Sequence, residues 1–422
     1  MKLEFRRFYR YDFAVTQVFL DMITKYYGIA VSAHLLAYTP TSVVQLLNDT
    51  QKPFFIDPMT FVFARDTMVI TRNGRIRKSY AKLMVDYGPP FANCLDGHRT
   101  SPEDFKDNLG MLDEAVMTDV CRRVLDFQKA KCSITTAFPK YYQLLRKGKL
   151  PFSVSPSFLV APYFFASRHG DEWYTISLRM ARISRSLRGD HELYPVICIS
   201  LDVLWDDAQI SNIVNDYADF DGYLVWIDDL DEANVSGELN GLKTLVSKLS
   251  SYGKPVYFLY GGYLCDLLSK FGLTGYSSGI CYGESRSVDT KGGGAGNRYY
   301  IPFTHLKISE DLANAFFAES EGNRATMCSC HTCGSIRSTL PPKIGPKDYS
   351  DMFFAQMDFL DYRRHFVDVK SREAHFLANS NDTQIASELD TDINVASSID
   401  PFKGQPKELS TRHLRNWRSL FT

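Results

Sequence analysis

The stretch GYLVWIDDL (222–230) is apolar from Tyr223 to Ile227, and its carboxylates, Asp228 and Asp229, come only at its end. A strand wetted on one face alternates apolar and polar residues, whereas a strand covered on both faces does not. The run therefore reads as a strand of a parallel sheet packed between layers. Similar runs stand on either side: KPFFIDPMTFVF (52–63), SFLVAPYFFAS (157–167), YPVICISLDVL (194–204), KPVYFLYGG (254–262) and GYSSGICYG (275–283). Amphipathic segments separate them. The clearest are EAVMTDVCRRVLDFQKA (114–130) and GLKTLVSKLSSYG (241–253), the second closing on a C-cap glycine. Such repetition gives either a doubly wound sheet or a (β/α)8 TIM barrel. No GxGxxG or GxxxxGKS/T follows a strand, so dinucleotide and P-loop readings lose support and the barrel is expected.

A chain of 422 residues accommodates one barrel of roughly 250 residues with insertions and a small appended module. The expected layout is a barrel over 1–300, with an excursion at about 64–155. A first strand within the N-terminal 45 residues cannot be placed. The glycine-rich stretch 286–299 reads as a connector, because no helix and no Lys-Ser/Thr follow it. The segment 377–422 is rich in Asn, Asp, Ser and Thr and reads as a polar, partly flexible tail.

The formal net charge of −1 announces no general affinity for nucleic acid and leaves room for a local patch. No apolar run reaches the roughly 18 residues of a membrane helix. The opening MKLEFRRFYRYDF lacks an apolar signal core. A cytoplasmic protein with reduced thiols and no membrane partner is expected.

The strongest chemical signal is CSCHTCG (328–334), in which Cys328, Cys330 and Cys333 stand close enough to wrap one tetrahedral ion. His331 lies inside the knuckle and is poorly placed to close the same ion. A helical segment downstream offers His365 and His375 as a fourth ligand, and either could return to the knuckle. The expectation is one structural Zn²⁺ held by Cys328, Cys330, Cys333 and His365 or His375, within a subdomain over 301–376.

These motifs together resemble the tRNA-guanine transglycosylase superfamily. In that family a TIM barrel carries a Cys-x-Cys-x-x-Cys…His zinc subdomain after its last strand. The resemblance continues upstream through KPVYFLYGGYLCDLLSKFGLTGYSSG and the strand-like pair NRYYIPFTHLKIS. FDGYLVWIDDLDE resembles the preceding strand, and FFIDPMTF the early strand ending in the base-reading aspartate, here Asp57. The chain departs from the family at Asp57-Pro58-Met59-Thr60, at Asp228-Asp229, and in the last strand. There the family's nucleophilic aspartate is absent, and Glu284 is the first carboxylate. A divergent member is implied, similar to the DNA 7-deazaguanine transglycosylases.

The resemblance implies replacement of guanine in DNA or tRNA by a 7-deazaguanine such as preQ0 or preQ1. Base exchange needs one carboxylate to hold C1′ and another to manage the base's proton. In a barrel both come from strand C-terminal ends. Asp57 is assigned to the base, Asp228 or Asp229 to the nucleophile, and Glu284 to the same rim. Tyr260, Gly261, Gly262, Ser277 and Ser278 are assigned to substrate binding. Each also has a plainer reading, such as Asp57 as a turn starter before proline and the aspartate pair as a helix cap. The cations Arg324, Arg337, Lys343, Lys347, Arg363, Arg364, Lys370 and Arg372, extended by Arg412, Arg415 and Arg418, could track phosphates. The family also implies pairing through the zinc region, as a homodimer or with a protein partner. The rival function is a catalytically inactive nucleic-acid-binding paralogue. An unrelated barrel hydrolase would need histidines clustered near strand ends, which the sequence lacks.

Overall fold

A computed structural model describes residues 5–65, 70–73, 75–95, 113–132, 154–289, 296–318, 328–341, 345–398 and 411–421. Seven parallel strands form one sheet. They are β1 (Arg6–Arg10), β2 (Gly28–Ser32), β3 (Phe54–Asp57), β5 (Val196–Ser200), β6 (Tyr223–Asp228), β7 (Val256–Phe258) and β8 (Gly275–Gly279), in the order β3-β2-β1-β8-β7-β6-β5. A short strand, β4 (Leu159–Val160), pairs in parallel with Leu193–Tyr194. Its surroundings touch both edges of the sheet. Ser157 N–H donates to Phe54 C=O at 2.8 Å on one side, and Ala166 N–H donates to Cys198 C=O at 3.0 Å on the other. The sheet therefore curls until its edges face each other across residues 157–166. Pro162, which has no N–H, splits the apolar run expected to be one strand there.

The two-sided burial expected from the apolar runs is found along β2, β3, β6 and β8. Aromatic rings fill the inside: Phe8, Phe55, Phe158, Tyr194 and Tyr257 contact one another edge-on or stacked. Strand β8 can lie against β1 because Gly275 has no side chain; a Cβ there would sit 1.8 Å from Arg6 O. The predicted helix 114–130 forms as Glu114–Ala130, capped by Asp113. The second predicted helix begins earlier, as Glu238–Ser250, and Gly253 takes a left-handed φ of 69° beyond its end.

Strand β1, RRFYR, carries three arginines into a mostly buried strand. Arg7 ion-pairs with Asp266 at 2.8 Å and Arg10 with Asp57 at 3.0 Å. Without those partners the desolvation cost would forbid a strand there.

Beyond β8, Arg298–Ile301 pairs antiparallel with Leu306–Ser309, as expected. Helices follow at Glu310–Ala318, His331–Thr339, Pro346–Gln356 and Phe359–Asn379. The tail expected to be loop-like instead forms helices at Asp382–Ser398 and Arg412–Arg418. Its polar composition hid Ile385, Leu389, Leu414 and Trp417, all buried. These few apolar contacts dock an otherwise solvated pair of helices.

A buried ionic chain joins this C-terminal helical layer to the sheet. Arg7 pairs with Asp266, and Lys370 lies 3.8 Å from Asp266 and 3.1 Å from Glu373. Glu373 holds His305 at 2.7 Å, and His305 reaches Asp392 at 3.1 Å. Burial alone would raise Glu373, but Lys370 and His305 outweigh it and hold the carboxyl at about 2. Burial alone would lower His305, but Glu373 and Asp392 raise it to about 9.

Replacing Lys370 by Ala removes the cation that Asp266 and Glu373 share, leaves one buried negative charge in excess with only Arg7 and His305 to face it, and is expected to cost about 3–5 kcal/mol in denaturant unfolding. A cost near zero would show that the chain of ions is not structural. The His305 contribution is complete below its ordinary value of 6.5 and is lost as pH rises through about 9. The melting temperature should therefore fall across that window, and a His305→Gln variant should flatten the fall.

Candidate active site and metal centre

At the C-terminal ends of the strands the chain assembles two adjoining polar regions. The first lies on the sheet axis. Asp57, at the end of β3, is fully buried. It takes Arg10 on one oxygen, and the Tyr163 hydroxyl at 2.9 Å and Met59 N–H at 3.1 Å on the other. Arg10 also donates to Leu259 C=O at 3.2 Å. The residue assigned to the base is thus enclosed in a structural network.

Tyr260 stands between two guanidinium groups: Arg10 lies 4.2 Å from its ring centre and Arg286 5.4 Å. Ser277 Oγ donates to Leu259 C=O at 2.5 Å, whereas Ser278 Oγ is buried without a partner among the described residues. Asp228, at the end of β6, accepts Val288 N–H at 2.7 Å, and partial burial raises its carboxyl above the ordinary range. Asp229 sits in a turn with φ 55°. Asp228 thus holds the loop after β8, and neither aspartate is shown meeting Asp57.

The second region holds Glu284, which pairs with Lys307 at 2.6 Å. Beside it is Glu232, a residue the sequence did not single out. Glu232 accepts N–H bonds from Gly262 at 2.5 Å and Leu264 at 2.9 Å. A methyl placed on Gly262 would lie 2.8 Å from Glu232 Oε2 and 3.1 Å from Glu284 Cδ, so the two carboxyls flank one point. Burial first, then the charge of Glu284, push Glu232 up to about 7 despite its two N–H donors. Both face a cavity of about 410 Å³ also lined by Tyr282, His305, Lys307 and Trp417. One carboxylate paired with a lysine and a second raised towards neutrality form a charged group and a proton carrier at one site. Glu232 closes the stretch FDGYLVWIDDLDE, where four acids within five positions obscured which one turns inward.

Gly261 serves packing: a Cβ there would meet Cys265 Sγ at 2.3 Å. Gly262 makes room for the two glutamates. Of the residues assigned to substrate, Tyr260 contributes a ring at the mouth, and Ser277 is spent on the backbone.

The cysteines and His365 come together as expected. Their four ligand atoms lie within 4.8 Å of one another, and all four residues are buried. His365 Nδ1 stands 3.3 Å from both Cys330 Sγ and Cys333 Sγ. Its Nε2 donates to Tyr300 C=O at 2.8 Å, which leaves the Nδ1 lone pair facing the sulfurs. Backbone N–H groups of Cys330 and Cys333 point at Cys328 and Cys330 sulfur at 3.3 and 3.4 Å. This donor set fits a four-coordinate ion with no open position. His375 is exposed on the same helix and takes no part.

Several of the cations expected to form a basic surface are engaged within the protein. Arg363 and Lys370 are buried, Arg364 pairs with Asp21 and Asp361, Arg372 with Asp368, and Arg418 with Asp390. Arg324 and Lys343 lie outside the described residues.

No family model matches the chain, and no curated protein does either. Among solved structures, the N-terminal CBM22-1–GH10 modules of Clostridium thermocellum xylanase 10B align over 65% of this chain. The alignment covers 59% of the xylanase chain, at 10% identity and a TM-score of 0.38. An intracellular xylanase of Thermoanaerobacterium saccharolyticum aligns over 70% of this chain and 90% of its own, at 8% identity and a TM-score of 0.35. Likeness at this level says nothing about what the chain acts on.

Purified protein should carry one equivalent of a transition metal by elemental analysis, lost in a Cys330→Ser variant with a marked fall in melting temperature. Metal-free wild type with an unchanged melt would remove the assignment.

Proposed function

We propose that this chain exchanges a guanine base in DNA or tRNA for a 7-deazaguanine, as its resemblance to the tRNA-guanine transglycosylase superfamily implies. In this reading the curled sheet is a (β/α)8 TIM barrel, and Cys328, Cys330, Cys333 and His365 hold a structural Zn²⁺ in an appended subdomain. The observation that carries it is the convergence of Glu232 and Glu284 on one cavity at the strand ends.

The two carboxyls match the two roles that base exchange requires. Glu284, ion-paired with Lys307, attacks C1′. As that bond forms, the bond from C1′ to the base nitrogen breaks, and its electron pair leaves with guanine. Glu232 gives its proton to the departing base. The incoming 7-deazaguanine returns a proton to Glu232, and its freed nitrogen attacks C1′ and releases Glu284. The nucleophile thus comes from the loop after the last strand, and not from Asp228 or Asp229. Asp57 keeps the mouth in shape through Arg10.

Glu284→Gln is expected to abolish exchange of labelled guanine and to prevent trapping of a covalent nucleic-acid adduct. Glu232→Gln should slow exchange by about 10²–10⁴-fold. Because Glu232 acts protonated and sits at about 7, wild-type exchange should decline above that pH, and the decline should vanish in Glu232→Gln. Full activity of Glu284→Gln would sink the mechanism. Wild type that binds nucleic acid but neither exchanges nor traps it would make the chain an inactive binding paralogue.

A further inference from the structure

Close to the carboxylates in sequence, Arg286 packs its side chain among three buried aromatic rings. The Arg286 guanidinium carbon lies 5.4, 5.6 and 6.0 Å from the ring centres of Tyr260, Phe61 and Trp226. Its NH1 donates to the Tyr260 hydroxyl at 2.7 Å, and its carbonyl accepts Trp226 Nε1 at 3.1 Å. The turn that carries it is anchored on both sides. Val288 is buried with its N–H on Asp228, and Arg65 Nε donates to Asp289 at 2.9 Å. Nearby, His34 Nδ1 is buried without a partner among the described residues and its ring stacks on Tyr80 at 4.5 Å.

An arginine in a surface loop ordinarily keeps its charged head in water. Here the head is withdrawn among three rings at the place where a barrel presents its substrate pocket. A guanidinium is a flat trigonal carbon bearing nitrogen donors. The N1–C2–N3 edge of guanine, with its exocyclic amine, is the same unit closed into a ring. Both are flat, both stack on aromatic faces, and both can donate to the Tyr260 hydroxyl.

We infer that Arg286 is a resident competitor of the Phe61–Trp226–Tyr260 pocket, occupying the place of a planar heterocycle that carries a guanidine unit. The identity of that heterocycle rests on the base-exchange reading; the self-occupation does not. A pocket that is open only part of the time binds more weakly by that fraction.

The full-length protein would be titrated with free guanine and, separately, adenine, followed by calorimetry. Arg286→Ala should bind guanine about tenfold more tightly than wild type and adenine no more tightly, because the competitor is removed and the guanidine edge is what the pocket reads. Adding Phe61→Ala should cancel the gain. Asp289→Asn leaves Arg286 in place but cuts one anchor, and should give a smaller gain of about threefold, which decides the matter if Arg286→Ala fails to fold. No gain in either folded variant, or an equal gain for adenine, overturns the inference. Exchange assayed in parallel separates the two claims. Exchange without a gain in affinity refutes the competitor and leaves the reaction standing. A gain without exchange supports the competitor and counts against the reaction.

Discussion

Lys370 is the residue around which the C-terminal half is organised. Its ammonium is fully buried and shared among Asp266 of the short helix Tyr263–Leu268, Glu373 of its own helix, and the Tyr300 hydroxyl at 2.8 Å. Arg7, Lys370 and His305 face Asp266, Glu373 and Asp392, so formal charges balance along the chain of contacts. A balanced chain can remain dry; removing one member leaves a buried charge that nothing else can reach. Tyr300 extends this constraint to the Cys3His group. Its hydroxyl takes Lys370 and its carbonyl takes His365, so the ionic chain and the Cys3His cluster share one residue.

The same chain shapes the cavity. His305 is both a link in the ionic chain and a wall of the space in front of Glu232 and Glu284. Trp417 packs near Tyr263 and His305 and donates its indole N–H to Glu232 C=O at 3.2 Å. The C-terminal helices therefore complete the cavity. Their docking is also what dries the site, and drying is what moves Glu232 towards neutrality.

The apolar runs made the parallel sheet legible, because burial on both faces leaves a continuous hydrophobic signature. The same logic hid β1, whose arginines look solvated until Asp57 and Asp266 are placed beside them. The Cys3His group was legible from the spacing of three cysteines, while the choice of His365 over His375 depended on which face of the helix turns inward. Asp57 was legible as a strand-end acid, but its engagement by Arg10 and Tyr163 joins residues 47 and 106 positions apart. Glu232 could not be singled out among neighbouring acids. Its inward turn is fixed by the backbone of Gly262 and Leu264, some thirty positions downstream.

Gly262 shows how closely fold and site are coupled. A glycine pair after a barrel strand suggests close approach of a ligand to the backbone, yet here the approaching groups belong to the protein. Any side chain at 262 would collide with Glu232 and crowd Glu284. Substituting it would push apart the two carboxyls while leaving each one present. The bare backbone also supplies the N–H that fixes Glu232, so one position provides both the room and the restraint. Convergence of two like charges is costly in itself, and it persists because Lys307 accompanies Glu284 and backbone dipoles accompany Glu232. A fold that served only as a scaffold would gain nothing from holding such a pair at the edge of an open cavity.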